Sequence, residues 1–171
     1  MRIFTEANAH AKLNLGLKIV GRRPDGYHDI LSIFQTIDLC DRLTFEEIGA
    51  GRTEVVCTDP ALPTGPENLV CRAVEALREA TGFCRGVRVS LAKSIPVGAG
   101  LGGGSAAAAA VLRALNDAWA LGMTGARLQE VALGIGSDCP FFLRAGTAVV
   151  SGRGEALRYV PWPSEVHYVL I

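Results

Sequence analysis

From Ser94 to Leu112 the chain runs without a single charged residue. On length alone this stretch could span a bilayer, but Pro96, two serines and five glycines spoil it as a membrane helix. The glycines explain it better. Gly98, Gly100, Gly102, Gly103 and Gly104 fall within seven residues, which lets successive backbone N–H groups converge into an anion-binding nest. The alanines from Ala106 to Ala110 then favour a helix, whose positive end points at the same spot. A flexible hinge has similar composition, but hinges seldom lead straight into a well-formed helix.

The loop fits none of the commonest phosphate motifs. No lysine follows the glycines, as a Walker A sequence requires. Gly98-x-Gly100-x-x-Gly103 matches a dinucleotide fingerprint in spacing only. Lys93 to Val97 separate it from the preceding strand, and Asp117 falls inside the following helix. Protein-kinase signatures are absent.

Seventeen basic residues balance seventeen acidic ones over 171 positions. That excludes a strongly basic nucleic-acid surface and an acidic disordered tail, so a polyanion must be met by local donors. The length suits one good-sized domain with its own core. Five cysteines without a C-x-x-C pair, and only three histidines, argue against a zinc site or a disulfide framework. They read as reduced, mostly buried thiols in a cytoplasmic protein. His10, His167 and the cysteines carry no functional signal.

Periodicity predicts strand, kink and strand over residues 3–20, with Leu13, Leu15, Leu17 and Ile19 on one face. A strand over 30–40 follows, then a hairpin of 43–48 with 53–58 around Gly49-Ala50-Gly51. Asn68 is placed to cap a helix with a stripe of Leu69, Ala73, Leu77 and Ala80, stopped by Gly82. Residues 86–92 alternate as a strand. A helix is expected over 105–121 with core positions Ala108, Leu112, Leu115 and Trp119, and a third from Thr124 through Val131. Residues 145–152 and 166–171 read as strands.

Pro96-Val97-Gly98-Ala99-Gly100-Leu101-Gly102-Gly103-Gly104-Ser105-Ala106 resembles the second motif of the GHMP small-molecule kinases. Three further segments strengthen the resemblance in order along the chain: Ala11-Lys12-Leu13-Asn14-Leu15, Arg23-Pro24-Asp25-Gly26-Tyr27-His28, and Gly136-Ser137-Asp138-Cys139-Pro140-Phe141-Phe142. They point to the branch of the family that acts on a cytidine diphosphate alcohol.

The resemblance implies an α+β GHMP-kinase N-terminal domain over residues 1–160: a ribosomal-protein-like two-layer fold, a mixed sheet with helices on one face, and a left-handed β-α-β crossover. Residues 161–171 are expected to begin a C-terminal domain that would supply a second aromatic for the cytosine. Without that domain, poor turnover and self-association through the apolar end at 168–171 are expected. The implied reaction is ATP-dependent phosphorylation of the 2-hydroxyl of 4-(cytidine 5′-diphospho)-2-C-methyl-D-erythritol, with Mg2+ carried mainly by ATP.

By resemblance, Asp138 takes the hydroxyl proton and Lys12 faces it across the hydroxyl. Asn14, Tyr27 and His28 bind the substrate. Pro96 to Ala106 bind ATP, with Asn68 and Lys93 beside the adenine. Ala106 stands where the family pattern has a second serine, which leaves the metal ligands unassigned. No nucleic acid or membrane partner is expected, and the chain is a monomer or homodimer. The alternatives are a homoserine- or mevalonate-type kinase and a non-catalytic nucleotide- or RNA-binding module.

Overall fold

The computed structural model describes residues 3–22, 26, 28–163 and 166–171. Among them a mixed sheet holds β1 (Ile3–Arg22), β2 (His28–Ile48), β3 (Thr53–Cys57), β4 (Gly86–Ala92), β5 (Thr147–Gly152) and β6 (Ala156–Tyr159). The helices are α1 (Leu69–Thr81), α2 (Gly103–Ala118), α3 (Gly125–Ile135) and α4 (Cys139–Arg144). β2 organises the sheet. β1 runs antiparallel along nearly its whole length. β4 pairs with Arg42–Ile48 and β5 with Ile30–Gln35. β3 joins β4 in parallel, through α1, and β6 closes the far side against β5.

One face of the sheet is covered and the other is wet. Val87, Val89 and Leu91 of β4, with Leu43 and Phe45 of β2, are buried under the helices. Between them Arg88 faces the opposite side, opposite Glu46 on β2 and Glu54 on β3, and pairs with both carboxylates at 3.3 and 2.8 Å. Period-two alternation thus sorts apolar from charged residues. α2 is different. Ala106 to Leu112 are all buried, because a helix apolar on every side must be enclosed on every side. It lies on β1 and β2, with α1, α3 and α4 around it. The uncharged stretch therefore becomes the central helix. Among the described residues no helix is long and apolar enough to cross a membrane.

The expected caps are present. Val70 N–H donates to Asn68 Oδ1 at 2.8 Å, Arg127 N–H donates to Thr124 Oγ1 at 3.3 Å, and Gly82 ends α1 at φ 72°. Ala73, Leu77, Ala108, Leu112 and Leu115 are buried as expected, while Leu69, Ala80 and Trp119 are only half-buried. Trp119 stacks on Phe4. Cys71 and Cys139 are buried, Cys40 and Cys57 half-buried and Cys84 exposed, all as free thiols.

Three expectations need correction, and two elements were not foreseen. The hairpin of 43–48 with 53–58 does not form, because β4 inserts between β2 and β3. The turn after β2 opens to admit it: Gly51 N–H donates to Cys84 O and Val87 N–H to Arg52 O. Leu17 and Ile19 are 56% and 60% exposed, since no helix covers the end of the β1–β2 arm. Residues 166–171 form no strand; Val169 and Ile171 stand in solvent. Finally, α4 and β6 escape the sequence pattern. α4 is too short to show a period and has Pro140 in its first turn, while β6 is only four residues long.

The insertion leaves no room at Gly86, where a Cβ would lie 2.0 Å from Gly49 O. Gly86→Ala is therefore expected to cost about 3 kcal/mol, lowering the midpoint of thermal unfolding by roughly 6–12 °C. Gly134→Ala, in α3 with nothing within 4 Å, is the control and raises the midpoint slightly. Equal effects at the two positions would contradict the tight crossing.

Candidate active site

β1 is irregular between His10 and Lys12, where its register against β2 shifts. At this shift Lys12 N–H donates to Leu101 O at 3.0 Å, tying the strand to the glycine loop. The Lys12 side chain is 4% exposed. Its Nζ donates to Asn14 Oδ1 at 3.1 Å, lies over the Phe34 ring at 4.7 Å from the centroid, and stands 3.9 Å from Asp138 Oδ2.

Asp138 precedes α4 but does not cap it with its side chain, so the carboxylate is left facing Lys12. Its side chain is 30% exposed, enough for a small group to reach it. The β5–β6 turn comes close from the other side: a Cβ at Gly154, whose φ is 122°, would sit 3.3 Å from Asp138 Oδ1.

Burial governs the charges of this pair. It lowers the Lys12 pKa below its ordinary 10.5, against the pull of Asp138. It raises the Asp138 pKa above its ordinary 3.8, more than Lys12 lowers it. Between 3.8 and the raised value the folded state holds the extra proton, so stability declines as pH rises through that window. For Lys12 the unfolded state holds the extra proton in the window below 10.5, so stability rises with pH there. If Asp138 must be ionised for turnover, the acid limb of the pH–rate profile lies above pH 3.8 and disappears in Asp138→Asn. A profile of kcat against pH for both proteins checks this, and an unchanged limb in the variant would assign it to another group.

The loop is built as its glycines suggest. Gly98, Gly100 and Gly102 are all left-handed, at φ 76°, 73° and 73°, and α2 starts without a side-chain cap. Gly102 is wedged between the two halves of the site: its Cβ would lie 2.7 Å from Phe142 Cζ and 3.3 Å from Lys12 Cγ. Pro96 through Gly104 line a cavity of about 230 Å3 with Leu62, Pro63, Leu69 and Leu91. A larger groove of about 840 Å3 between α1 and α3 holds none of the loop residues; Lys12 and Asp138 lie outside both linings, and Gly102 joins the smaller cavity to Lys12.

Asn68 and Lys93 line the same cavity, but both have structural partners. Asn68 caps α1 and donates through Nδ2 to Pro63 O at 2.6 Å. Lys93 pairs with Asp41. Ser105 and Ala106 lie outside the cavity lining. Ser105 hydrogen-bonds the Cys139 thiol, whose pKa burial pushes up to about 11, and Ala106 is in the core.

His28 is exposed at the start of β2, opposite Arg22. Lys12 faces Thr36, so His28 lies eight residues along the strand, at most roughly 27 Å away. Tyr27, with residues 23–25, lies outside the described residues. Sequence reasoning missed Asp41. Its signal was a carboxylate in phase with the buried Leu43 and Phe45.

Residues 68–146 match the family model described as the GHMP kinases N terminal domain. The chain carries a GHMP kinase N-terminal domain. Around this match, the chain is 51% identical over 158 residues to a 4-diphosphocytidyl-2-C-methyl-D-erythritol kinase of Pelotomaculum thermopropionicum, covering 92% of this chain and 55% of the relative. It is 46% identical over 162 residues to one of Gloeobacter violaceus, covering 95% and 53%. A crystal structure of 4-(cytidine 5′-diphospho)-2C-methyl-D-erythritol kinase aligns at a TM-score of 0.78 and 41% identity, over 93% of this chain and 56% of that one. Homoserine kinase from Cytophaga hutchinsonii aligns at 0.70 and 19% identity, over 93% and 52%, a likeness of fold alone. The GHMP chain thus spans about half the length of the curated relatives it matches.

Proposed function

We propose that this GHMP domain serves the ATP-dependent phosphorylation of the 2-hydroxyl of 4-(cytidine 5′-diphospho)-2-C-methyl-D-erythritol. The observation that carries the reading is the Lys12–Asp138 pair at 3.9 Å, set beside a glycine loop to which Lys12 is bound through its own backbone. ATP's phosphates lie along the amides of Gly98 to Gly104 and the start of α2. The substrate oxygen attacks the γ-phosphorus, the bond from that phosphorus to the β–γ bridging oxygen breaks, and ADP leaves. The hydroxyl proton passes to Asp138. Lys12 opposes the burial that raises the Asp138 pKa and stabilises charge on the oxygen; in a loose transition state both mainly orient the hydroxyl.

Among the described residues no three His, Cys, Asp or Glu side chains converge. Magnesium is carried mainly by ATP, held by its phosphates. Asn14 orients Lys12 and the substrate. Tyr27 and His28 read the cytosine, the first by stacking and the second, from the start of β2, by a hydrogen bond to the base edge. The balanced charge favours a small-molecule partner over RNA.

The test incubates the protein with γ-labelled ATP and, separately, the cytidine diphosphate substrate, homoserine and mevalonate. Label is expected in the first alone. Label in homoserine or mevalonate at a comparable rate would move the chain to another branch of the family.

A further inference from the structure

The glycine loop is held from beneath by a carboxylate that takes no part in the chemistry above. Asp41 is fully buried. It lies on the stretch of β2 between the segments paired with β4 and β5, so its side chain can serve something other than the sheet. Its Oδ1 accepts from Ser94 N–H at 2.7 Å and Ile95 N–H at 2.8 Å. Its Oδ2 pairs with the Lys93 ammonium. That ammonium reaches the other end of the loop, 3.1 Å from where a Cβ of Gly103 would be. One carboxylate therefore binds the segment that leads into the loop and holds the Lys93 ammonium beside the first residue of α2.

We infer that Asp41 is the positioning residue of the phosphate loop. It fixes Ser94 and Ile95 directly and holds the Lys93 ammonium against Gly103, so that the span between them converges its amides on one point. The span's own left-handed glycines supply no rigidity, and α2 has no side-chain cap; the anchor compensates for both. The Lys93 charge is already matched by Asp41, so amides and the helix end meet the phosphates. The inference rests on the proposed nucleotide reading of the loop.

The test compares Asp41→Asn, Lys93→Met and the double variant with the parent. The readouts are ATP affinity by calorimetry, hydrogen exchange over residues 94–104 without nucleotide, and the midpoint of thermal unfolding. Asparagine keeps an acceptor for the two amides but turns an NH2 toward the Lys93 ammonium, breaking one link of the anchor and leaving a buried charge unmatched.

Asp41→Asn is expected to weaken ATP binding about tenfold or more and to speed exchange over 94–104 beyond the rest of the chain. The double variant removes the unmatched charge and recovers the unfolding midpoint, but keeps the fast exchange and the weak binding. A role in stability alone would make affinity and exchange recover with the midpoint, and that result overturns the inference. So does unchanged loop exchange in the double variant. If Asp41→Asn does not fold, Lys93→Met and the double variant decide on the same readouts. Faster loop exchange in a protein whose parent binds no ATP would support the anchor while refuting the nucleotide reading.

Discussion

On the proposed phosphoryl-transfer reading, Asp138→Asn is expected to lower kcat by about 10²–10⁴-fold, the usual cost of losing a general base, and to leave KM for ATP within about twofold. Asparagine keeps the volume and one oxygen, so the approach to Lys12 and the fit against Gly154 survive. It cannot accept the proton of the substrate hydroxyl. Lys12 loses the one counter-charge that opposes its burial, and its ammonium becomes harder to hold. Lys12→Ala is expected to act on the same step, because in the proposed reaction both groups address one hydroxyl. It keeps the backbone bond to Leu101 O, so the loop stays tethered. The double variant should fall well short of the product of the two single effects. Steady-state kinetics on the four proteins checks this. A loss under about tenfold in Asp138→Asn would leave that carboxylate an orienting group only.

Gly102→Ala damages the site through backbone and packing together. The left-handed φ of 73° is unfavourable for alanine, at about 1 kcal/mol. The new methyl would also press on Phe142 at 2.7 Å and on the Lys12 stem at 3.3 Å, for about 1–3 kcal/mol more. Phe142 belongs to α4, the helix that Asp138 precedes, so relief of the clash moves either the loop or the base. The expected result is a lower unfolding midpoint and loss of about 10²-fold in kcat/KM. Gly98→Ala and Gly100→Ala separate the causes. Their φ values are nearly the same, but nothing lies within 4 Å of the added methyl. In the unfolding midpoint they should show the backbone cost alone. Equal losses at all three positions would mean that the contacts with Phe142 and Lys12 are immaterial.

What could be read from the sequence was local. The glycines and alanines of 98–110 dictate a loop and an enclosed helix without reference to the rest of the chain. Asn68, Gly82 and Thr124 mark helix ends by their own side chains or by the lack of one. Pairing across the sheet is another matter. The hairpin expected at Gly49–Gly51 failed because β4, lying beyond α1, competes for the same edge of β2, and no local pattern records that. Lys12 and Asp138 sit at opposite ends of the chain, and their meeting was expected only through resemblance to a family. Asp41 had a legible mark, a charge in the phase of buried residues. Read alone, it is a carboxylate in a strand; its partners at 93–95 become neighbours only when β4 is in place.

β2 receives its neighbours at very different times in the life of the chain. β1 is joined to it by a short connection, and the pair can form as soon as both are made. β5 comes last: Thr147 meets Gln35 across 112 residues, a closure whose entropy must be met before its contacts return anything. Until then the edge of β2 at Ile30–Gln35 stays open, a place where another unfinished chain can add its own strand. Asp138 lies in the segment just before β5, so the base reaches Lys12 at the same late stage. During synthesis the glycine loop can be in place on β4 and α2 well before the Asp138 carboxylate arrives beside Lys12.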